Sequence, residues 1–272
     1  SENIFENSRT IYFPLENEQK IFNPTIYQTK KQNFLDGNIT YTKNISINII
    51  EDTKEIEIKQ KSPNDWILFN NITLNNWKIN FKGEYNSNNY PLVQNINHYG
   101  MTGCVNFYMT KFNNTSLSLK NGKCEDTLNI INSIGKIKLI KINSAFSDAL
   151  DIDFSDIFLN EVIINNAGND CLDFSSGNYI VKKSFLSNCN DKAISIGEKS
   201  KVNIKSSVIN DSSIGISVKD FSFSDIEYLE TEKVNICLEV KQKKQEFGGS
   251  KAKLGIIKCD GKINNDENSI IF

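Results

Sequence analysis

The chain has 272 residues, 39% of them apolar and 24% charged, with a formal net charge of −2, a composition typical of globular proteins. The near-neutral charge disfavours nucleic acid as a partner, because phosphate binding needs an excess of Lys and Arg on one face, and no apolar run reaches the roughly 20 residues of a membrane span. The one histidine, His98, argues against Ser-His-Asp or Cys-His catalysis and against a zinc site of ordinary spacing.

Alternating apolar and polar residues predict short β-strands through the N-terminal third of the chain. The clearest are NISINII, KEIEIKQ, WILFNNITL and WKINFKG, at 44–50, 54–60, 66–74 and 77–83. Trp66 and Trp77 lie in these alternating strands and are predicted to be core residues. We expect residues 1–43 to form an N-terminal cap with the first coil, and residues 44–272 to form one continuous domain.

Two segments interrupt the strand pattern and are predicted to be loops. Residues 84–103 are polar and carry Tyr85 and Tyr99, while residues 241–251 are basic and contain two glycines. Loops of a solenoid often line its binding face, and aromatic rings stack on sugar rings. Tyr85 and Tyr99 are therefore candidate substrate-binding residues.

From about residue 104 to residue 241 the sequence repeats with a period of about 22 residues. Each period contains a strand with alternating apolar positions, and one of these positions reads Leu128, Leu150, Leu172, Ile194, Ile216 and Leu238. Two further apolar pulses per period predict three short strands in each repeat, which is typical of a parallel β-helix whose coils bury their inner faces by stacking. Asn166, Asn188 and Asn210 share the period and predict an asparagine ladder at a turn.

A leucine-rich repeat is the competing solenoid at this period. It needs leucines at fixed helical positions after each strand, whereas these repeats carry β-branched residues, Ser and Asn with almost no helix-forming runs. The sequence therefore predicts an all-β fold, a right-handed parallel β-helix with about 22 residues and three short strands per coil.

Acidic residues recur at the same period on the repeated strand. Residues one period apart lie about 4.8 Å apart along the axis of such a helix, so stacked columns are predicted. The column at the strand entry contains Asp126, Asp148, Asp170 and Lys192. The next column contains Asn129, Asp151, Asp173 and Ser195, and the last contains Asp153, Ser175, Gly197, Lys219 and Lys241.

Carboxylates this close repel each other when both are ionised, which raises the pKa of at least one of them unless a cation neutralises the pair. Such a patch suits a general acid and base, or a cation site with oxygen ligands in which Asp151 and Asp173 hold Ca²⁺. For the entry column, a structural role is an equal alternative to a functional one. Asp126, Asp148 and Asp170 share the strand parity of the core leucines and would then cap backbone amides at a turn.

The segments SDALDID, GNDCLDFSSG and DKAISIGEKS resemble the N-T-D, D-D and G-H-G motifs of polygalacturonase-type pectin hydrolases, which are right-handed parallel β-helices of the pectin lyase-like superfamily. The resemblance covers roughly residues 124–220. It implies that Asp148 matches the Asp of N-T-D and that Asp170 matches the second Asp of D-D, as the two carboxyl groups of an inverting glycoside hydrolase. Asn169 replaces the first Asp of D-D, and Lys192 stands where that family has His.

A further departure is Val218-Lys219, which falls where that family carries R-I-K. Polysaccharide lyases with similar solenoids suggest a second reaction, β-elimination. In that reaction a lysine removes the proton next to a uronate carboxylate while a cation or a positive side chain neutralises that carboxylate. Lys192 beside Asp170 would supply the base. An acidic patch should raise the pKa of that lysine, which weakens it as a base.

Together these patterns predict a carbohydrate-active protein that binds a polysaccharide in an acidic groove and cleaves it by hydrolysis or elimination. The candidate catalytic residues are Asp148, Asp151, Asp170, Asp173 and Lys192. The candidate substrate-binding residues are Asp126, Asp153, Asn169, Glu198, Lys219, Lys241, Tyr85 and Tyr99. The alternative function is a non-catalytic surface, capsule-associated or phage-type module that binds glycan or protein, with a structural or cation-bound acidic ladder.

A secreted or cell-surface location is expected for either function, with a glycan as the partner and with an open oligomeric state. The six cysteines allow disulfides without establishing them. Because no C-x-x-C pair occurs and the cysteines are widely spread, buried thiols are at least an equal expectation.

Overall fold

The computed structural model describes residues 28–62, 64–83, 97 and 99–272. The described chain forms a β-solenoid of about nine turns, built from parallel strands stacked in register. The predicted all-β fold of stacked parallel coils about 22 residues apart is therefore confirmed. Tyr85 and His98 lie outside the described residues, as does most of the loop predicted at 84–103. Within the described part of the chain, no helix has the length and apolarity that crossing a membrane requires.

The N-terminal part combines antiparallel and parallel pairing. Its strands are β1 (Thr29–Phe34), β2 (Gly37–Thr42), β3 (Ser46–Ile50), β4 (Glu55–Gln60), β5 (Ile67–Asn70), β6 (Thr73–Asn75) and β7 (Lys78–Gly83). The pairs β1–β2, β2–β5 and β3–β4 are antiparallel, and parallel pairing begins with β4–β7. The antiparallel pairs thus precede the regular coils.

The regular coils contain the remaining strands. They are β8 (Gly103–Tyr108), β9 (Lys111–Gly122), β10 (Asp126–Ile131), β11 (Ile134–Ala145), β12 (Asp148–Asp153), β13 (Asp156–Leu159), β14 (Val162–Ala167), β15 (Leu172–Ser175), β16 (Asn178–Val181), β17 (Ser184–Gly197), β18 (Lys201–Ile204), β19 (Ser207–Lys219), β20 (Phe223–Lys241), β21 (Lys251–Lys258), β22 (Lys262–Asn265) and β23 (Ile270–Ile271). Several strands continue around a corner, so one strand can contribute to two sides of the coil.

Three parallel stacks of strands run along the solenoid. The first stack consists of β5, β8, β10, β12, β15, the C-terminal parts of β17, β19 and β20, and β22. The second stack includes β13, β16 and β18, and the third includes β14 with the N-terminal parts of β17 and β19. The repeat thus supplies three strand segments per coil, as predicted.

The core fills the space enclosed by the three stacks. Leu128, Leu150 and Leu172 are direct neighbours on successive strands and are fully buried. The rings of Phe69 and Phe107 stack with centroids 4.8 Å apart near the N-terminal end. Trp77 is buried in this core, as predicted, whereas Trp66 is buried in a separate cluster with Leu68 and Met101. Each coil buries its apolar residues only through contact with its neighbours.

A ladder of buried hydroxyl groups holds the corner between the first and second stacks. The backbone N–H of Thr110 donates to Ser133 Oγ at 3.0 Å, and the N–H of Ser133 donates to Ser155 Oγ at 2.9 Å. Gly177 takes the next position, and there Tyr179 Oη accepts from the N–H of Ser155 at 3.4 Å. These bonds satisfy backbone donors that the turn would otherwise leave unpaired.

All six cysteines form disulfides, so the expectation of buried thiols is wrong. The pairs are Cys104–Cys124, Cys171–Cys189 and Cys237–Cys259. Their sequence separations of 20, 18 and 22 residues span about one coil each. The partners of each pair come from opposite ends of one coil, where the path around the solenoid brings them together.

The asparagine ladder is shorter than predicted, because one coil contains an extra residue. Asn166 and Asn188 occupy equivalent left-handed positions, with φ of 64° and 55°. Asn210 instead pairs with Ser187, and Asp211 takes the left-handed position with φ of 62°. The insertion lies at the preceding corner, because Lys201 pairs with Asn178 and not with Tyr179, the residue one regular period before it.

Candidate functional site

Six aspartates lie along strands β10, β12 and β15 of the first stack and at the entries to these strands. We call this surface the acidic face and define it by Asp126, Asp148, Asp151, Asp153, Asp170 and Asp173. Asp126 pairs with Asp148, and Asp151 pairs with both Asn129 and Asp173. The parallel register therefore stacks the acids in the columns that the sequence period predicts.

The acidic face is less open than predicted for an exposed stripe. Asp126 and Asp170 are buried, while Asp148, Asp151, Asp153 and Asp173 are half-buried. Side chains on successive coils shield one another, because the strands lie only about 4.8 Å apart. Accessible carboxyl groups are therefore concentrated in the two columns beyond the strand entry.

The entry column caps the backbone of the following coil. Asp148 Oδ1 accepts from the N–H of Asp170 at 2.8 Å and from Asn169 Nδ2 at 2.7 Å. Asp170 Oδ1 accepts from the N–H of Lys192 at 2.9 Å, and Lys192 Nζ lies 3.5 Å from the same oxygen. Lys192 Nζ also contacts Asp191. Amide capping, one of the two alternatives for this column, thus accounts for one oxygen of Asp148 and one of Asp170.

The second column brackets two carboxyl groups with neutral polar side chains. Asn129 Nδ2 donates to Asp151 Oδ2 at 3.1 Å, while the buried Oδ1 of Asn129 has no hydrogen-bond partner. Beyond Asp173, the column continues with the buried side chain of Ser195. Asp151 and Asp173 thus face each other across adjacent strands without a cation from a side chain between them in this column.

Basic residues lie at the C-terminal end of the acidic face. Lys219 is buried beside Gly197, and its charge acts on Asp173. Glu198 accepts hydrogen bonds from Ser175 Oγ and Lys244 Nζ. In addition, Lys241 Nζ lies 2.7 Å from Glu239 Oε1. Glu198 and Lys241 are therefore engaged with neighbouring side chains, and the face changes from acidic to mixed charge along the axis.

Burial raises the pKa of three aspartates on this face from 3.8 to about 6. Desolvation is the largest cause for Asp148, Asp153 and Asp173. The charge of Asp173 raises the pKa of Asp153 further, whereas the charge of Lys219 opposes the rise at Asp173. These carboxyl groups therefore change their protonation near neutral pH.

The pKa values of the other three acids of the face are shifted in the same direction. Burial raises the pKa of Asp151 well above its usual range, and the charges of Asp126 and Asp153 add to this rise. Burial likewise raises the pKa of Asp126. The pKa of Asp170 is also raised by burial, against the opposing charge of Lys192. The predicted mutual repulsion of the carboxylates is present, but loss of water contributes more to each shift.

Lys192 is held in its charged form. Burial alone would lower its pKa, but the hydrogen bond and charge of Asp191 and the charge of Asp170 outweigh this effect and raise the pKa. The direction is the one expected for a lysine in an acidic patch. A charged ammonium is a poor general base at neutral pH.

We expect the melting temperature to rise by at least about 3 °C when the pH is lowered from 7 toward 4. The carboxyl groups with a pKa near 6 in the folded state have a pKa of 3.8 when unfolded. Between these values the folded chain binds more protons, so the free energy of unfolding increases as the pH falls. Scanning calorimetry across this range measures the effect.

Below about pH 4 the trend should reverse. Hydrogen bonds from Thr73 lower the pKa of Asp36, and stabilisation of this kind is lost as the pH falls through the lowered pKa. A melting temperature that decreases steadily from pH 7 to pH 4 would contradict the raised values on the acidic face.

An aromatic pocket lies on the same side of the solenoid, on the N-terminal side of the acids. Its volume is about 420 Å³, and its lining includes Tyr99, Tyr108, Met101, Leu68 and Ile131. The ring of Tyr99 meets that of Trp66 edge to face at 5.9 Å. Tyr108 and Ile131 occupy the column that continues into Asp153. The pocket and the acidic face are therefore continuous along the solenoid axis.

Sequence reasoning identified Tyr99 but missed the rest of this pocket. Tyr108 is the last residue of β8 and Leu68 lies within β5, and the spacing between these two strands departs from the period of the later coils. Asp191, the partner of Lys192, was also missed, although it directly precedes that lysine. An acidic residue next to a candidate catalytic lysine was the sequence signal that could have identified Asp191 as its partner.

A larger and more open groove of about 620 Å³ lies on the second stack. Asp156, Phe158, Ile180 and Lys201 contribute to its lining. It carries none of the aspartates whose pKa is raised to about 6. We therefore place the candidate site on the acidic face despite the larger volume of this groove.

Among the residues described by the structure, no three His, Cys, Asp or Glu side chains converge as a metal site would require. Asp151 and Asp173 are adjacent, so the calcium site predicted there stays a prediction that rests on two carboxylates. The remaining ligands of Ca²⁺ would have to be neutral oxygens, since that ion takes six to eight oxygen ligands.

The chain was compared with protein-family models, curated proteins and solved structures. None of the three comparisons gives a match. The geometry and electrostatics of the acidic face and of its aromatic pocket are therefore the features that point to a function.

Proposed function

We propose that this protein is a carbohydrate-active β-helix that binds a polysaccharide along the acidic face and hydrolyses it. The observation that carries the proposal is the presence of several aspartates with a pKa near 6 beside an aromatic pocket. Glycoside hydrolysis needs one protonated and one ionised carboxyl group at the scissile bond. A set of coupled carboxyl groups that share protons near neutral pH supplies both forms.

Asp153 and Asp173 are the pair best suited to these roles. They lie diagonally on adjacent strands, since Asp153 pairs with Ser175 and Asp173 precedes Ser175 by two residues. Diagonal strand positions on one face are roughly 7 to 8 Å apart, a spacing from which the two carboxyl groups can reach the separation of about 6.5 to 9.5 Å that inverting enzymes use to admit a water. Asp151 and Asp173 are direct neighbours, so the distance between their strand positions is shorter than this range.

The surrounding charges assign the roles. Lys219 favours the ionised form of Asp173, which makes Asp173 the general base that activates water. The charges of Asp173 and Glu198 favour the protonated form of Asp153, which makes Asp153 the general acid that protonates the leaving oxygen. Hydrolysis is favoured over elimination because Lys192, the predicted base for elimination, has a raised pKa.

We further propose that the protein belongs to the pectin lyase-like superfamily and acts outside the cell. Parallel coils and the three motif segments support the relationship. The three disulfides support an oxidising compartment, because such bonds are rare in reducing ones. The replacements at Asn169, Lys192 and Val218-Lys219 favour a polysaccharide other than polygalacturonate.

A non-catalytic glycan-binding module is the second candidate. The observation that favours it is the capping of the next coil by Asp148 and Asp170, which are the two acids that the resemblance identifies as catalytic. In this case the acidic face would recognise sugar hydroxyl groups without cleaving the chain. The two functions differ in whether the protein releases products.

An activity screen separates these functions. We expect incubation with xylan, β-glucan, alginate and polygalacturonate at pH 5 to 6 to release reducing ends from at least one polymer without increasing absorbance near 235 nm. An increase at that wavelength would indicate elimination. Retardation of the protein in polysaccharide-containing gels without product release would indicate binding alone. The absence of both release and retardation across the panel would refute the proposed function.

A further inference from the structure

The corner that follows each strand of the first stack from β5 to β19 holds a left-handed residue. Asn71 and Asn132 occupy it with φ of 53° and 49°, and asparagine tolerates this conformation. The next residue supplies the hydroxyl of the corner ladder in several coils, as Ser133 and Ser155 do. The ladder fixes the path of the backbone, so whichever residue precedes it must accept a positive φ.

Phe154 is an unfavourable residue for this corner in two respects. Its φ is 49°, a conformation that is strained for a bulky side chain. The residue is also 63% exposed, so little apolar burial offsets the strain. Strain that packing does not explain indicates a functional requirement.

Two other large apolar residues occupy left-handed corners along the same edge. Phe221 has φ of 61° and is 55% exposed, but its ring packs edge to face on Phe247 at 6.2 Å. Met109 has φ of 53° and is 47% exposed. Met109 lies two coils before Phe154, because its neighbours along the corner column are Asn132 and then Phe154. Phe154 is thus the aromatic residue of this edge that lies closest to the proposed general acid.

The position of Phe154 connects it to the proposed site. It directly follows Asp153, and its N–H donates to the carbonyl of Ser175 at 2.9 Å, which holds the corner beside the strand that carries Asp173. Ile131, the strand partner of Asp153, lines the aromatic pocket. A glycan that extends from the pocket along the axis would therefore pass the edge formed by Phe154.

We infer that Phe154 is a sugar-stacking residue that binds the apolar C–H face of a pyranose ring beside the acidic face. This inference rests on the proposed function and deepens it, because it specifies a substrate whose ring exposes such a face near the scissile bond. Aromatic side chains provide large, rigid apolar contact areas in ligand sites. The sugar supplies the apolar contact that the free protein lacks at this position.

The test replaces Phe154 by Asn, the residue that occupies the equivalent corner at Asn132. We expect Phe154→Asn to raise the melting temperature by about 2 °C, since it relieves strain, and to weaken binding of the tightest ligand from the polysaccharide panel by about tenfold. Phe154→Tyr should retain binding. Affinity electrophoresis with each of the four polymers of that panel measures the affinity, and scanning calorimetry measures the stability.

Phe185→Asn is the matched control, because Phe185 is an exposed phenylalanine on the third stack. It should leave the affinity unchanged. If the wild-type protein binds a polysaccharide and Phe154→Asn binds it equally well, the stacking inference is overturned while the proposed function stands. If the wild-type protein binds none of the polymers, both are overturned. A lower melting temperature for Phe154→Asn would overturn the strain argument on which the inference depends.

Discussion

We expect the replacement of Asp173 or Asp153 by Asn to lower kcat/KM for the proposed polysaccharide hydrolysis by a factor of about 10² to 10⁴, the range that general acid–base groups contribute. An amide is nearly the same size as a carboxyl group but neither accepts the proton of a water nor donates one to a leaving oxygen. Substrate affinity should change much less than turnover. Hydrolysis rates and binding constants, measured on the same polymer, separate the two effects.

The stability of these variants provides an independent check. Because burial raises the pKa of Asp153 and of Asp173 to about 6, each ionised carboxylate destabilises the folded state at pH 7, and its removal should increase the melting temperature there. A gain in stability together with a loss of turnover is expected for a group retained for catalysis. The gain should disappear near pH 4, where the carboxyl groups are protonated.

Asp156→Asn is the control for both measurements. Asp156 is exposed and lies on the second stack, where it accepts a hydrogen bond from Asn178 Nδ2. Its replacement should leave turnover at the level of the wild-type protein. Full activity in Asp173→Asn and Asp153→Asn would remove both residues from the mechanism.

The regular part of the fold is predictable because its period determines the register directly. Leu150 and Leu172 are one period apart in the sequence and are direct partners in the structure. The same arithmetic places Asp151 beside Asp173. A repeated strand needs only its neighbours above and below to be buried, so a local pattern is sufficient to predict its environment.

Features that depend on the corners are less predictable. Glu198 and Lys199 both have positive φ at the corner with the extra residue, which shifts Asn210 out of its ladder. Corner residues carry no apolar periodicity, so an insertion there leaves the strand pattern intact. The sequence pattern also left the burial of Asp126 open, because shielding by stacked side chains depends on the shape of the whole face.

The disulfides are another feature that the sequence pattern did not predict. Removing one of them is expected to have the second large effect. The Cys171→Ser/Cys189→Ser variant should lower the free energy of unfolding by about 3 kcal/mol, the contribution of a disulfide that closes a loop of this size. The bond joins residues 18 apart, and its loss frees the closed loop in the unfolded chain. Urea titration at pH 6 measures the change.

The same variant should also reduce hydrolysis. Cys171 is followed by β15, which carries Asp173, and its N–H donates to the carbonyl of Lys192 at 2.9 Å. The disulfide therefore anchors the start of the strand that holds the proposed general base. Small displacements of a catalytic group reduce the rate strongly, because the reacting atoms must be held in a narrow geometry.

The Cys237→Ser/Cys259→Ser variant distinguishes this anchoring from a general loss of stability. Cys237 occupies the same column as Cys171, and its bond closes a loop of similar length, 22 residues. It lies three coils further along the first stack, beside Glu239 instead of Asp173. We expect a similar loss of stability with unchanged kcat below the unfolding transition. Equal losses of kcat in the two variants would show that the Cys171–Cys189 bond has no specific role in positioning Asp173.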